Sequence, residues 1–106
     1  MSVIMTLRFK ADPAKLEEFG AASADQLQAI VEVAKQHGAI AHRFYGSESG
    51  SVMVVDEWPS AESFQQFFAA ASEQIGAVMG AVGAGDQSEP EFWRKLETND
   101  DFGWDA

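Results

Sequence analysis

The chain is 106 residues long, contains no cysteine and carries a formal net charge of −10 at pH 7. Its length and its 46% apolar content are typical of one globular domain with a single core, spanning residues 1–106. Seven Lys and Arg residues are too few to neutralise a phosphate backbone, so nucleic-acid and anionic membrane partners are not expected. The lack of cysteine excludes disulfides, thiolate metal sites and cysteine nucleophiles.

The first predicted element is a β-strand over Val3–Lys10. Apolar residues alternate along it, with one face formed by Val3, Met5, Leu7 and Phe9. Arg8 and Lys10 interrupt the segment before a long apolar run forms, so it does not resemble a signal peptide. The Ala- and Gly-rich stretch at 67–85 is too short to span a bilayer. We therefore expect a soluble, cytoplasmic protein.

The second element is a predicted helix that begins at Asp12-Pro13, a typical N-cap followed by proline in the first turn. Gly38 is the predicted C-terminal stop. The apolar residues between them recur at helical spacing, at Leu16, Phe19, Leu27, Ile30, Val31 and Ala34. His37 lies next to this stop, where a histidine suits the negative end of the helix dipole, so we assign it a structural role.

A hairpin and a second helix follow. The two apolar runs Ala39–Gly46 and Ser51–Trp58 are separated by Ser47-Glu48-Ser49-Gly50, which indicates two strands and a turn. Ser60 is the predicted cap of the second helix. The apolar stripe of that helix consists of Phe64, Phe67, Phe68, Ala71, Ile75, Val78, Met79 and Val82.

The last predicted element is a fourth strand over Pro90–Thr98. The acidic tail Asn99–Ala106 carries Phe102 and Trp104, which suggests that it docks on another surface. The order β-α-β-β-α-β predicts an α+β, ferredoxin-like fold in which both helices cover one face of a four-stranded antiparallel sheet. Because the strands are apolar on both sides, the uncovered sheet face predicts a homodimer, with the chain itself as partner.

A local motif points to a family. Residues 52–64 read Val-Met-Val-Val-Asp-Glu-Trp-Pro-Ser-Ala-Glu-Ser-Phe, which is an apolar strand, an acidic pair, a tryptophan and a helix start. On this motif and the topology the chain resembles the dimeric α+β barrel superfamily, and within it the antibiotic biosynthesis monooxygenase (ABM) type. The resemblance implies one of several activities: cofactor-free oxygenation of polycyclic phenols, haem degradation, or isomerisation of small keto or phosphorylated compounds.

Two departures from the family pattern reduce the number of activities that the resemblance implies. Many catalytic relatives carry a histidine on the second helix, whereas this chain has none between Ser60 and Gly85 and places Phe67 and Phe68 there. The first strand also lacks the asparagine of haem degraders. Haem is therefore disfavoured, and we expect neither a cofactor nor a metal site, since no ligand spacing indicates one.

The pairing of the hairpin strands decides which polar side chains share a face. If Gly46 pairs with Ser51 around a four-residue loop, one face carries Arg43, Tyr45, Asp56 and Trp58 together. A one-residue slip or bulge would instead bring His42 and Asp56 together as an acid–base pair. We favour the first register because it lets Arg43 pair with Asp56 diagonally.

The candidate site residues lie on this hairpin and the following helix. Asp56 and His42 are the candidate catalytic groups, and the candidate ligand-binding residues are Trp58, Arg43, Tyr45 and Phe67. The alternatives are structural: Arg43 and Asp56 would form an ion pair, Trp58 would be a core residue, and His42 would be a half-exposed or core histidine with a backbone partner.

The sequence is compatible with two functions. In the first, a homodimer binds a small aromatic or keto compound in an apolar pocket and oxidises or isomerises it without metal. In the second, the chain is a non-catalytic ligand-binding or structural dimer. A pocket between sheet and helices that is lined by Asp56 and Trp58 together with Arg43 or His42 would favour the first. A space filled solidly by aromatic side chains would favour the second.

Overall fold

The computed structural model describes residues 1–104, and its elements follow the predicted order with each long helix divided in two. They are β1 (Val3–Lys10), α1 (Pro13–Ala22), α2 (Ala24–Gln36), β2 (Ala41–Gly46), β3 (Ser51–Trp58), α3 (Ala61–Ala70), α4 (Ser72–Ala81) and β4 (Glu91–Trp93). The strands form one antiparallel sheet in the order β2-β3-β1-β4. The predicted α+β, ferredoxin-like class is confirmed.

The core lies between the helices and one face of the sheet. On β1 the predicted face is confirmed, since Met5, Leu7 and Phe9 are at most 5% exposed. Each of them pairs with a residue of β3 that points the same way, namely Asp56, Val54 and Val52 in that order. Leu16 of α1, Ala34 of α2 and the aromatic residues of α3 complete this layer. The alternation in sequence thus determines which sheet face the helices cover.

Both predicted helix starts are confirmed by their caps. The Asp12 carboxylate accepts a hydrogen bond from the Ala14 N–H at 2.9 Å. The Ser60 hydroxyl accepts one from the Ser63 N–H at 3.1 Å. These bonds satisfy N–H groups that have no partner inside the helix, which is why both helices begin there.

The prediction of two uninterrupted helices was wrong. The first is divided at Ser23, whose N–H donates to the Phe19 carbonyl at 2.7 Å and ends α1. Ser23 has non-helical backbone angles and also precedes α2, in keeping with the preference of serine for helix boundaries. The second is divided at Ala71, whose backbone likewise leaves the helical region.

The fourth strand is shorter than the predicted range Pro90–Thr98. It pairs with β1 only from Ile4 to Thr6. Further along β1, its free edge is occupied by the preceding loop, where Gly85 and Ser88 donate to the Lys10 and Arg8 carbonyls. In the other direction β1 begins at Val3, so a longer fourth strand would have almost no partner residues left.

The hairpin register is the main correction to the sequence analysis. Gly46 pairs with Val52 rather than Ser51, and the Ser47 N–H donates to the Ser51 carbonyl at 2.9 Å. The loop therefore has three residues, Glu48-Ser49-Gly50, instead of four. Gly50 has a φ of +87°, the left-handed conformation that closes a three-residue hairpin loop. One residue fewer in the loop moves every pair in the hairpin by one position.

The tail after β4 does not pack as expected. Phe102 and Trp104 are 89% and 82% exposed, so the predicted docking does not occur within the chain. The last two residues of the predicted tail, 105 and 106, lie outside the described part. Within residues 1–104, no helix has the length and apolar character needed to cross a membrane.

Candidate functional site

A cavity of about 540 Å³ lies between the helices and the covered sheet face. Its volume falls within the range of small-molecule sites, which are mostly apolar with a few polar groups. The walls from α2 and α4 are formed by Leu27, Ile30, Val31, Ile75, Val78 and Met79. The sheet contributes Leu7, Phe44 and Val54 to the cavity floor. The predicted pocket between sheet and helices is present.

His42 and Asp56 lie on the wall of this cavity and form a hydrogen-bonded pair. They are directly opposite each other on β2 and β3, and the distance from His42 Nδ1 to Asp56 Oδ1 is 2.7 Å. The short distance is a direct consequence of the hairpin register, because cross-strand partners share a face. The structure thus has the register that the sequence analysis considered second.

The Asp56 carboxylate is 5% exposed, and both of its oxygens are used. Oδ1 faces His42, while Oδ2 accepts a hydrogen bond from the Trp58 indole Nε1–H at 3.2 Å. Burying a carboxylate is costly unless donors compensate for the lost water, and here two donors do so. With both oxygens engaged, Asp56 is suited to orienting His42 rather than to attacking a ligand proton itself.

The direction of the hydrogen bond follows from the chemistry of the groups. An ionised carboxylate can only accept, so the hydrogen lies on His42 Nδ1. In the neutral ring Nε2 then carries the lone pair and is the basic atom, because the bond made by one ring nitrogen determines the state of the other. The His42 side chain is 36% exposed and lines the cavity, so a bound molecule can reach it.

An aromatic cluster made by Trp58 and three phenylalanines of α3 borders the cavity. The Trp58 ring centroid is 5.7 Å from that of Phe64 and 5.2 Å from that of Phe67. Phe64 also stacks on Phe68, at 5.4 Å between centroids. Trp58 itself is 0% exposed and Phe67 is 6% exposed. Trp58 and Phe67, two of the four predicted ligand-binding residues, therefore border the cavity as buried side chains.

The two remaining candidates lie on the other side of the sheet. Arg43 pairs with Val55 and Tyr45 pairs with Met53, on the face that no helix of residues 1–104 covers. The Arg43 guanidinium donates to the Tyr45 hydroxyl at 3.2 Å. The predicted diagonal pair of Arg43 with Asp56 was wrong, because the one-residue shift puts these side chains on opposite faces.

The helical wall of the cavity is not evident from the sequence. The spacing of Leu27, Ile30 and Val31 predicts a core-facing stripe, yet these side chains line the open space. The polar side chains of Gln28 and Lys35, on the same helix, also border it. Helical spacing indicates which face of α2 points inward, but it cannot show whether that face borders a cavity or packs into a filled core.

His37, the other histidine of the chain, has the predicted structural role. His37 Nδ1 lies 3.0 Å from the Val33 carbonyl oxygen at the end of α2, where its N–H satisfies a carbonyl in the last turn. Across residues 1–104, no group of three or more His, Cys, Asp or Glu side chains is arranged to hold a metal ion.

Comparison with solved structures shows which fold this is. SnoaB, a cofactor-independent oxygenase from Streptomyces nogalater, matches with a TM-score of 0.64 and 14% identity over 94% of this chain and 98% of that one. The monooxygenase from the gene ActVA-Orf6 of Streptomyces coelicolor, solved with the ligand nanaomycin D, matches with a TM-score of 0.66 and 19% identity over 92% and 89%.

A conserved protein from Methanosarcina mazei Go1 matches with a TM-score of 0.63 and 16% identity over 91% of this chain and 94% of that one. No family profile and no curated protein sequence matches the chain. At these identities the likeness shows the fold, and the chain has the fold of the ABM-like proteins.

Proposed function

We propose that this protein binds a small, flat, mainly apolar aromatic or keto compound in the cavity and removes a proton from it with His42. The observation that carries the proposal is the His42–Asp56 pair, 2.7 Å apart, on the wall of an apolar cavity of about 540 Å³. A general base must lie within hydrogen-bond reach of the ligand, and His42, whose free nitrogen is Nε2, is a residue of the cavity lining.

The proton-transfer step needs only the protein's own groups. A phenol O–H, or a C–H next to a carbonyl, gives its proton to His42 Nε2 and becomes a phenolate or enolate. Asp56 then stabilises the imidazolium through the bond to Nδ1, at low cost because the pair is already aligned. The apolar walls of the cavity strengthen these charge interactions, because they offer few polar groups that would screen them.

Two reactions can follow from that anion. Reprotonation at another atom gives an isomer of the ligand. Alternatively, dioxygen accepts electrons from the anion, so that a phenol and one dioxygen molecule give a quinone and one water. The fold shared with a cofactor-independent oxygenase supports the second reaction as a proposal for this chain.

The test uses a panel of naphthols, tricyclic phenols and their keto counterparts with the purified protein. Binding is followed by fluorescence quenching, and proton removal by deuterium incorporation at the carbon next to the carbonyl of the keto compounds in D₂O, because phenol O–H groups exchange with the solvent without a catalyst. We expect saturable binding of at least one compound and faster deuterium exchange than in buffer alone. In His42→Gln we expect retained binding and a fall in exchange rate of about 10²-fold or more, the usual contribution of a general base.

His37→Gln is the matched control, because it removes the other histidine of the chain, which lies outside the cavity lining. We expect its exchange rate to match that of the unmodified protein. Binding without any effect of His42→Gln on exchange would support a non-catalytic ligand-binding role instead. Failure of every compound to bind would overturn the proposal.

We also propose that two copies associate through the uncovered sheet face, as the sequence predicts. That face carries Ile4, Met53 and Val55, which are only half-buried, and two large exposed aromatic residues, Tyr45 at 44% and Trp93 at 51%. An apolar surface of this kind usually marks an association site. A cytoplasmic location remains a prediction of the sequence, to be tested by cell fractionation.

A further inference from the structure

Trp58 is the most deeply buried large side chain of the protein's described residues, with an exposed fraction of 0%. It therefore cannot act as an open wall against which a ligand stacks. Its one polar group, the indole Nε1–H, donates to Asp56 Oδ2 at 3.2 Å. A buried indole N–H needs an acceptor, and this one uses the carboxylate that also holds His42. The three side chains thus form a hydrogen-bonded series that leads to the cavity.

The indole has little freedom to move. Phe67 lies against it at 5.2 Å and 32° between ring planes, and Phe64 meets it edge-on at 5.7 Å and 74°. Both phenylalanines belong to α3 and are buried. Close-packed rings hold side chains in single rotamers. The N–H direction of Trp58 is consequently set by the core and not by the ligand.

This fixed donor has a consequence for Asp56. The terminal torsion of an aspartate is broad and roughly two-fold, so a carboxylate held at one oxygen can still rotate. A second bond at Oδ2 defines the carboxylate plane and directs Oδ1 toward His42 Nδ1. The Nδ1–H form of His42 is favoured to the extent that this acceptor stays in place.

We propose that Trp58 is a positioning residue, which, through Asp56, keeps His42, a residue of the cavity lining, in the Nδ1–H tautomer that leaves Nε2 basic. The catalytic meaning of this arrangement rests on the proposed function. The arrangement itself does not, because the tautomer of His42 can be measured in the absence of any ligand.

The test is ¹⁵N NMR of the imidazole nitrogens in the full chain, at an alkaline pH at which imidazole rings are neutral. In the unmodified protein we expect His42 to be predominantly the Nδ1–H tautomer. Trp58→Phe keeps an aromatic ring but removes the donor. We expect it to lower the ratio of Nδ1–H to Nε2–H by about three- to tenfold, as the loss of one hydrogen bond predicts.

Phe68→Leu is the matched control, since it loosens the same aromatic cluster at a ring that packs on Phe64 and leaves all three hydrogen-bonding groups in place. We expect its His42 tautomer ratio to stay that of the unmodified protein. An unchanged ratio in folded Trp58→Phe, or an equal change in Phe68→Leu, would overturn the positioning role. These outcomes are independent of whether any compound is found to bind or react.

If Trp58→Phe does not fold, a second measurement tests the hydrogen bond between Trp58 and Asp56 on which the positioning role depends. The indole Nε1–H proton of Trp58 should resonate downfield of those of Trp93 and Trp104 in the unmodified protein, because its acceptor is a buried carboxylate. In Asp56→Asn, where the acceptor is neutral, the Trp58 proton should move upfield while the other two stay in place. A Trp58 resonance that Asp56→Asn leaves unchanged would overturn the proposal.

Discussion

Asp56 connects the core of this protein to its cavity. It is a charged residue with an exposed fraction of 5%, placed between a histidine at the cavity wall and a fully buried tryptophan. Such a group remains in a fold only when its oxygens are compensated by donors. Its two partners come from its own strand and the neighbouring one, so a single element pair, β2 and β3, establishes both bonds.

Asp56→Ala should destabilise the protein. The substitution leaves the indole N–H of Trp58 buried without an acceptor, which costs about 1–3 kcal/mol of unfolding free energy. Urea denaturation followed by circular dichroism measures the loss. Asp86→Ala removes an exposed loop carboxylate and should change the unfolding free energy by less than about 0.5 kcal/mol. Equal effects of the two substitutions would contradict the structural role of Asp56.

At the scale of elements, the three-residue hairpin loop determines which side chains meet in the site. The Gly50 N–H donates to the Ser47 carbonyl at 3.3 Å, and the Ser51 N–H donates to the Ser47 hydroxyl at 3.1 Å. These bonds, with the left-handed Gly50, make a loop with an odd number of residues. The parity of the loop places His42, instead of Arg43, opposite Asp56.

Gly50→Ala should therefore weaken the hairpin. A Cβ at this position meets no atom within 4 Å, so the cost arises from the φ of +87° alone. We expect a loss of about 1–2 kcal/mol in unfolding free energy, the usual cost of a left-handed conformation for a residue with a Cβ. Denaturant unfolding measures it.

The matched control for this prediction is Ser49→Ala, in the same loop but away from the positive φ. It removes one exposed hydroxyl that contacts Ser47, and we expect a change of less than about 0.5 kcal/mol. An alanine at position 50 that costs no more than one at position 49 would contradict the proposed loop geometry.

At the scale of the whole molecule, the two faces of the sheet differ in what covers them. The face with Met5 and Val52 is covered by four helices, of which α2, α3 and α4 line the cavity. The opposite face, with Val55 near its centre, has no covering element within residues 1–104. The exposed arginines Arg8 and Arg43 border this face and would need to remain solvated or find acidic partners in an assembly.

Val55→Lys should convert the proposed dimer to a monomer. A lysine near the centre of an apolar interface leaves a charge buried without a partner, which such interfaces tolerate poorly. Sedimentation velocity at several protein concentrations measures the assembly state. Gln65→Lys adds the same charge on the exposed side of α3, and should leave the dimer intact. A monomeric unmodified protein would contradict the proposed association.

Much of this architecture could be predicted from the chain itself. The two-residue alternation of β1, the capping residues Asp12 and Ser60, and the aromatic stripe of α3 are local signals, and the structure bears them out. Element order and one covered sheet face then imply the ferredoxin-like class. These features depend on residues close together in sequence, where periodicity and capping chemistry act directly.

Other features were decided only in three dimensions. Whether Arg43 or His42 would meet Asp56 depended on one residue of loop length, which strand patterns do not encode when both faces are apolar. The burial of Trp58 depended on the placement of α3 over β3, and the cavity on a gap that α2 and α4 leave above the sheet. Amino-acid pattern determined the elements and their order, whereas register and packing, which join residues distant in sequence, determined the site.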